Sequence, residues 1–123
     1  AMRHWEHLDE EYIDSNRQQA DHIPVKLRAI GCYSKKEPVD AQTVTAFKVE
    51  EVHLMAEMEH RRWYADRIMA GWKPGDKNDP IKKTNPLLKE WNELDDGTKE
   101  YNYNTVRKIP RFLGKIDEKI YRK

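Results

Sequence analysis

From Lys48 to Gly71 the chain keeps a helical pattern with no proline or glycine before Gly71 itself. Val52, Met55, Met58, Ala65 and Met69 recur at spacings of three, four and seven, the period of an amphipathic helix. Gly71 is a natural stop. Within this run the stretch EMEHRRWYADRIMAGW, residues 57–72, carries a histidine, three arginines and two tryptophans. Such side chains are costly to bury and well suited to gripping a ligand. At 100° per residue, Leu54, Met55, Met58, Ala65 and Met69 fall in one sector, the expected core side. Ala56, His60, Trp63 and Arg67 line up on a second stripe at i, i+4, i+7 and i+11. Two readings of that stripe stand open. In one, Trp63 packs on a neighbouring helix, His60 is hydrogen-bonded and Arg67 pairs with an acid. In the other the stripe is a ligand wall, with Trp63 stacking a planar base while Arg67 and a nearby lysine neutralise phosphate.

The rest of the chain also reads as helical. Trp5, Leu8 and Tyr12 share one helical face, and Asp14, Ser15 and Asn16 are candidate caps. Pro24 suits the first position of a further helix carrying Val25, Leu27 and Ile30, and Gly31 suits its end. CYSKKEPVDA, residues 32–41, reads as a loop. A helix is expected from about Ala41 with Asp40 as cap, although TVTAF is rich in β-branched residues. KPGDKNDPIKKTNP, residues 73–86, is a loop with three prolines, long enough to suggest a function. A short segment with Leu88, Trp91 and Leu94 precedes a turn at Asp96-Gly97. The final helix is expected from about Tyr103 to Ile120, with Val106, Ile109, Leu113 and Ile116 on one face and a kink at Pro110. No strand alternates convincingly. The expectation is a small all-α domain with long irregular Pro-rich loops and an N-terminal helical extension over residues 1–36.

Composition narrows the function. The 123 residues suit one domain, and 37% hydrophobic against 37% charged residues implies a small core under a densely charged surface. With 23 basic and 22 acidic residues the net charge is +1. The chain is therefore no general binder of nucleic acid or membrane, and an electrostatic partner needs a local patch. Cys32, the single cysteine, is read as packing; it fits a reducing, cytoplasmic setting. No signal peptide is seen, and no apolar run approaches the ~18 residues that span a bilayer. The opening Ala1-Met2 reads as a cloning remnant, which suggests a piece of a larger protein or a stand-alone version. The scattered histidines His4, His7, His22, His53 and His60 form no metal motif. Asp76, Asp79, Lys82 and Lys83 lack calcium-loop spacing. Neither a nucleophile–base pair nor a paired-carboxylate pattern is visible, so an enzyme is not expected and no cofactor is assigned. Trp72 reads as a structural plug against Trp91 or the loop. The polar cluster Ser15, Asn16, Arg17, Gln19 and His22 either braces the domain or contributes to a site.

PVDAQTV, followed by the run from Met55 to Leu113, resembles the RyR domain, the repeat named for the ryanodine receptor calcium channels and also found in bacterial and phage proteins. The matching pieces run in order: Met55-Ala56-Glu57, His60-x-x-Trp63, Gly71-Trp72, the loop from Asp79 to Lys83, Asn85-Pro86-x-Leu88, Trp91, Leu94, Lys99, Asn102 and Ile109-Pro110. The resemblance covers residues 38 to 113 and places an RyR domain over residues 37–123. SNRQQADHIPVKLRAIG looks like the segment before this domain in bacterial relatives that carry an N-terminal TrkA-N type domain. No Gly-rich dinucleotide motif is present in this chain. Many family members have histidine where this chain has Asn85. The resemblance implies a module that holds an adenine nucleotide or an ADP-ribose-like molecule and regulates a partner or an attached domain. By motif, the implied ligand residues are Trp63, Asn85 and Asn102. Arg67 and Lys82 or Lys83 suit phosphates, and His60 shares the Trp63 stripe. Because the channel repeats occur in tandem, one copy implies a homodimer. The competing expectation is a protein-interaction scaffold with no small-molecule ligand, since exposed Trp and Arg also make hot spots. Calcium transport does not follow from the family name.

Overall fold

A computed structural model describes residues 17–123. The stripe Trp5, Leu8, Tyr12, the candidate caps Asp14, Ser15 and Asn16, and His4 and His7 lie outside the described residues. Residues 17–21 are helical and lead into α1, Ile23–Ala29. The further elements are β1 (Cys32–Lys35), α2 (Val49–Met69), β2 (Lys73–Pro74), β3 (Thr84–Asn85), a 3-10 turn (Trp91–Glu93), α3 (Asp96–Arg107), α4 (Ile109–Lys115) and β4 (Lys119–Arg122).

The expected all-α class is therefore incorrect. Helices dominate, but two small sheets join distant segments. β1 and β4 pair antiparallel, with Cys32 opposite Arg122 and Lys35 opposite Lys119. β2 and β3 pair in parallel, with Lys73 opposite Thr84. The sequence hid β4 for a physical reason. Ile120 and Tyr121 are consecutive, and both are buried at 2% exposure. Ile120 joins the core. Tyr121 stacks on Tyr33 at 5.6 Å, and its hydroxyl accepts from the Val39 N–H. A strand covered on both faces shows no alternation. Ile109, Leu113, Ile116 and Ile120 also happen to fall at helical spacing. α4 stops at Lys115 because Asp117 takes a left-handed conformation, φ 62°, and the Glu118 N–H turns back to the Leu113 carbonyl. Aspartate tolerates that conformation better than most residues, so no glycine marks the stop.

α1 begins with Pro24 in its first turn, and Gly31 follows it at φ 73°. α2 runs almost as the sequence suggests. Its first turn is held by Glu51, whose carboxylate accepts from the Lys48 N–H and from both terminal nitrogens of Arg122, clasping β4 to the start of the helix. Residues 41–48, expected as helix, are irregular; Val44 N–H donates to the Ile120 carbonyl. α3 starts at Asp96 with Asp95 as cap, its Oδ1 2.7 Å from the Thr98 N–H, so Gly97 lies inside the first turn and not at a loop. Between β2 and β3 the backbone closes tightly. A Cβ on Gly75 would sit 2.6 Å from the Thr84 Cβ, so only glycine fits there.

The core draws on Ile23 and Leu27 of α1, Cys32 of β1, Val52, Met55 and Ala56 of α2, Trp91, Leu94, Val106, Ile109 and Leu113. Each fully buried aliphatic contributes about 1.5–3 kcal/mol. The α2 face that meets this core is rotated from the expected one. Met55 is buried, but Leu54 and Met69 are exposed, Met69 at 86%, and Ala65 is exposed. Ala56, Glu59 and His60 are buried instead. The stripe that looked like a second face is therefore continuous with the core face. No helix among the described residues is long and apolar enough to cross a membrane.

Candidate functional site

Beyond the core, α2 and α3 diverge around a cavity of about 290 Å³. From α2 it takes Glu59, His60, Arg62, Trp63 and Arg67, one face at helical spacing. From α3 it takes Thr98, Tyr101, Asn102 and Thr105, which share a face for the same reason. Gln19 and Leu87 complete the wall. Trp63 is half-buried. The His60 ring stacks beside it at 5.8 Å and 27°, and the Arg67 guanidinium carbon is 5.9 Å from its centroid. Arg67 also lies 5.2 Å from the Trp72 centroid, so its guanidinium contacts two indoles. Among the described residues Arg67 meets no carboxylate at ion-pair distance. Such stacking stabilises a guanidinium while leaving its N–H edges open to a planar anion.

His60 is 4% exposed, and its Nε2 lies 2.7 Å from the Lys89 carbonyl oxygen. Only a protonated Nε2 makes that bond, which fixes the ring plane against Trp63. Asn102 is also buried. Its Nδ2 donates to the Thr98 carbonyl one turn back at 3.0 Å, which orients the amide at the cavity wall.

The remaining two proposed ligand residues are not part of this wall. Asn85 Oδ1 accepts from the Leu87 N–H at 2.8 Å, forming the turn that presents Leu87 to the cavity. Lys83 donates its ammonium to the Ala70 carbonyl at 3.0 Å, capping the end of α2. Lys82 donates its backbone N–H to Asp79. Trp72 is buried as expected of a plug; the Arg67 guanidinium lies over its ring, and among the described residues its Nε1 has no hydrogen-bond partner.

Sequence reading missed the charge network beneath the cavity. Glu59, 4% exposed, accepts from Lys26 Nζ at 3.2 Å, Arg62 Nε at 2.7 Å, Arg62 Nη2 at 3.0 Å and Gln19 Nε2 at 2.9 Å. Arg62 Nη1 continues to Asp66 at 2.7 Å, and Lys26 Nζ lies 3.2 Å from His22 Nδ1. The pairs Glu59–Arg62 and Arg62–Asp66 sit at i,i+3 and i,i+4 and were readable. Lys26 and Gln19 come from distant segments and were not. Of the polar cluster near residue 20, Gln19 and His22 join this network, while Ser15 and Asn16 lie outside the described residues.

Burial pushes the Glu59 carboxyl up, but the Arg62 hydrogen bonds and the charges of Lys26 and Arg62 outweigh it and hold the group below the usual range. Burial pushes the Lys26 ammonium down despite Glu59. Burial, aided by Lys26, also pushes His22 down. The pH consequences follow from linkage. Below the ordinary histidine value of about 6.5, the unfolded chain takes up a proton that folded His22 resists, so stability falls. Glu59 contributes stability that is present above the ordinary carboxyl value of about 4.3 and is lost as pH falls through its lower folded value. Urea midpoints should therefore drop in two stages on acidification, and His22→Gln should flatten the first stage alone. An equal first-stage drop in that variant would remove His22 from the account.

The cavity thus combines an indole, a stacked guanidinium without a described carboxylate partner, an amide and hydroxyls, with the acid Glu59 engaged by Lys26, Arg62 and Gln19. Comparison with known families gives a match to the RyR domain over residues 35–122. The core extends upstream of that match, through Ile23, Leu27 and Cys32. A match over most of the chain settles the kinship: this protein belongs to the RyR domain family.

Proposed function

We propose that this RyR domain is a non-enzymatic sensing module that binds an adenine-nucleotide-derived small molecule in the α2–α3 cavity and relays that state to a partner protein or an attached domain. The observation that carries the reading is the half-buried Trp63 beside the stacked Arg67 on the wall of an open cavity. Trp63 offers the base a stacking surface, worth about 1–3 kcal/mol. Arg67 receives phosphate or another anion. Asn102 keeps its Oδ1 and a second amide hydrogen for a base edge or ribose hydroxyl, since one donor is spent on Thr98. His60 supports Trp63 from behind and does not contact the ligand through its bonded Nε2. Asn85 and Lys83 act indirectly, through the Leu87 turn and the end of α2. At about 290 Å³ the cavity sits at the lower end of ligand-pocket sizes. It takes the base and ribose, and leaves further groups at the mouth. Two chains would pair, one repeat from each replacing a tandem pair.

Thermal unfolding against ATP, ADP, NAD, ADP-ribose and cyclic nucleotides tests the reading. A ligand at about a hundred times its Kd adds roughly 2.7 kcal/mol, which raises the Tm by several degrees. Trp63→Ala should weaken that ligand about tenfold or more, and Arg67→Gln should weaken only ligands that carry an anionic group. No shift with any of the panel would leave the surface to a protein partner and remove the nucleotide. A strictly monomeric mass by light scattering at high concentration would remove the pairing of chains.

A further inference from the structure

A second, larger concavity of about 680 Å³ adjoins the first and shares Gln19, Tyr101 and Thr105 with it. Its floor is apolar apart from Lys26, whose ammonium is held by Glu59. Ile23, Val106 and Ile109 are buried there, and Phe112 stands at the edge with 42% exposure. Its rim is cationic. Lys108, Arg111 and Lys115 follow at i, i+3 and i+7 along α4, so they form one stripe over two turns, about 10 Å long. All three are exposed, and none meets a carboxylate at ion-pair distance among the described residues. No aspartate or glutamate is among the described residues lining the groove. The surrounding segment, residues 107–123, holds seven basic and two acidic residues, a net of +5 in a chain whose total is +1. Of these, Arg107 pairs with Glu100 and Arg122 with Glu51, which leaves the Lys108, Arg111 and Lys115 stripe without a described counterion beside the trough, a repulsion that an anionic partner relieves.

We propose that this groove docks an acidic amphipathic helix of a partner protein. The apolar face of that helix rests on Ile23, Ile109 and Phe112, and its carboxylates at i, i+3 or i+4, and i+7 meet Lys108, Arg111 and Lys115. This is the helix-in-groove mode, in which periodic apolar anchors supply contact area and rim charges set orientation and partner choice. The alternatives fit less well. A flat anionic lipid surface cannot follow a concave floor, and a phosphate backbone has nothing to place on buried isoleucines. The site is separate from the nucleotide reading and survives its failure, because neither Trp63 nor Arg67 lines it.

The probe is a fluorescein-labelled synthetic helical peptide of about 15 residues, with leucines on one face and glutamates beside them. Anisotropy with the full chain should show saturable binding, weakened about tenfold or more by raising salt from 0.05 to about 0.5 M. The triple variant Lys108→Glu, Arg111→Glu, Lys115→Glu should lose at least as much, and so should Phe112→Gln with the charges intact. Circular dichroism and the melting point identify a variant that misfolds; Phe112→Gln, a single exposed-edge change, then carries the test alone. Equal binding by the folded variants overturns the proposal. So does equal binding of the same peptide with lysines for glutamates, or tighter binding to phosphatidylserine vesicles or single-stranded DNA.

Discussion

Glu59→Gln lowers the unfolding free energy by about 3–5 kcal/mol, measured by urea denaturation near neutral pH. The carboxylate stands between Lys26, 1% exposed, and Arg62, whose side chain is 9% exposed. Glutamine keeps an oxygen for Arg62 but removes the charge, so two buried cations are left with, among the described residues, only Asp66 within ion-pair reach of Arg62. The penalty is the desolvation of charge without compensation, which exceeds what the intact pair contributes over an apolar pair of the same shape. A domain of this size has about 5–15 kcal/mol in total, so the variant should lie near the edge of folding. Lys26→Met in the same chain should restore much of the loss. A single-variant loss below about 1 kcal/mol would show that water reaches the pair and screens it. The variant also loosens Arg62 and Gln19, both on the cavity wall, so affinity for the proposed nucleotide should fall even where it remains folded.

The second large effect is expected at Trp91. Trp91→Ala should cost about 3–5 kcal/mol, and Trp91→Phe much less. The indole is 6% exposed and makes edge or tilted contacts with His53 at 5.9 Å, His60 at 6.2 Å and Tyr103 at 5.8 Å. It thereby joins α2, the 3-10 turn and α3 in one aromatic cluster, with the Lys99 ammonium 5.8 Å from its centroid. Truncation leaves a void that three rings and a cation cannot close by small shifts. The same void frees His60, which holds the plane of Trp63. Thermal and urea unfolding measure the first effect, and ligand titration of the surviving folded fraction measures the second. If Trp91→Ala binds ligand normally, His60 and Trp63 keep their alignment through the Lys89 bond alone.

The parts of the fold that local chemistry determines were legible. Pro24 and Gly31 bracketed α1, the unbroken run to Gly71 defined α2, and the short segment with Leu88, Trp91 and Leu94 was visible, all three of which prove buried. The two sheets were not legible, since β1 and β4 are four residues each and find one another across most of the chain. Their stability comes from that pairing and not from any propensity within either segment. Met69 illustrates a second limit. It fits the apolar period of α2, yet stands exposed as the last residue of that helix. At the candidate site, the periodic members His60, Trp63 and Arg67 could be grouped in advance. Asn102 needed the packing of α3 on α2 to reach them. Asn85 and Lys83 looked equally polar in the sequence, but backbone groups nearby claim their side chains first.

The ladder between β1 and β4 has a topological consequence. The Lys123 N–H donates to the Gly31 carbonyl at 2.9 Å, which extends the ladder one step past Cys32 and Arg122. A ladder that ties the segment before α2 to the segment after α4 closes the polypeptide between them into one loop, so loosening either strand unfastens both.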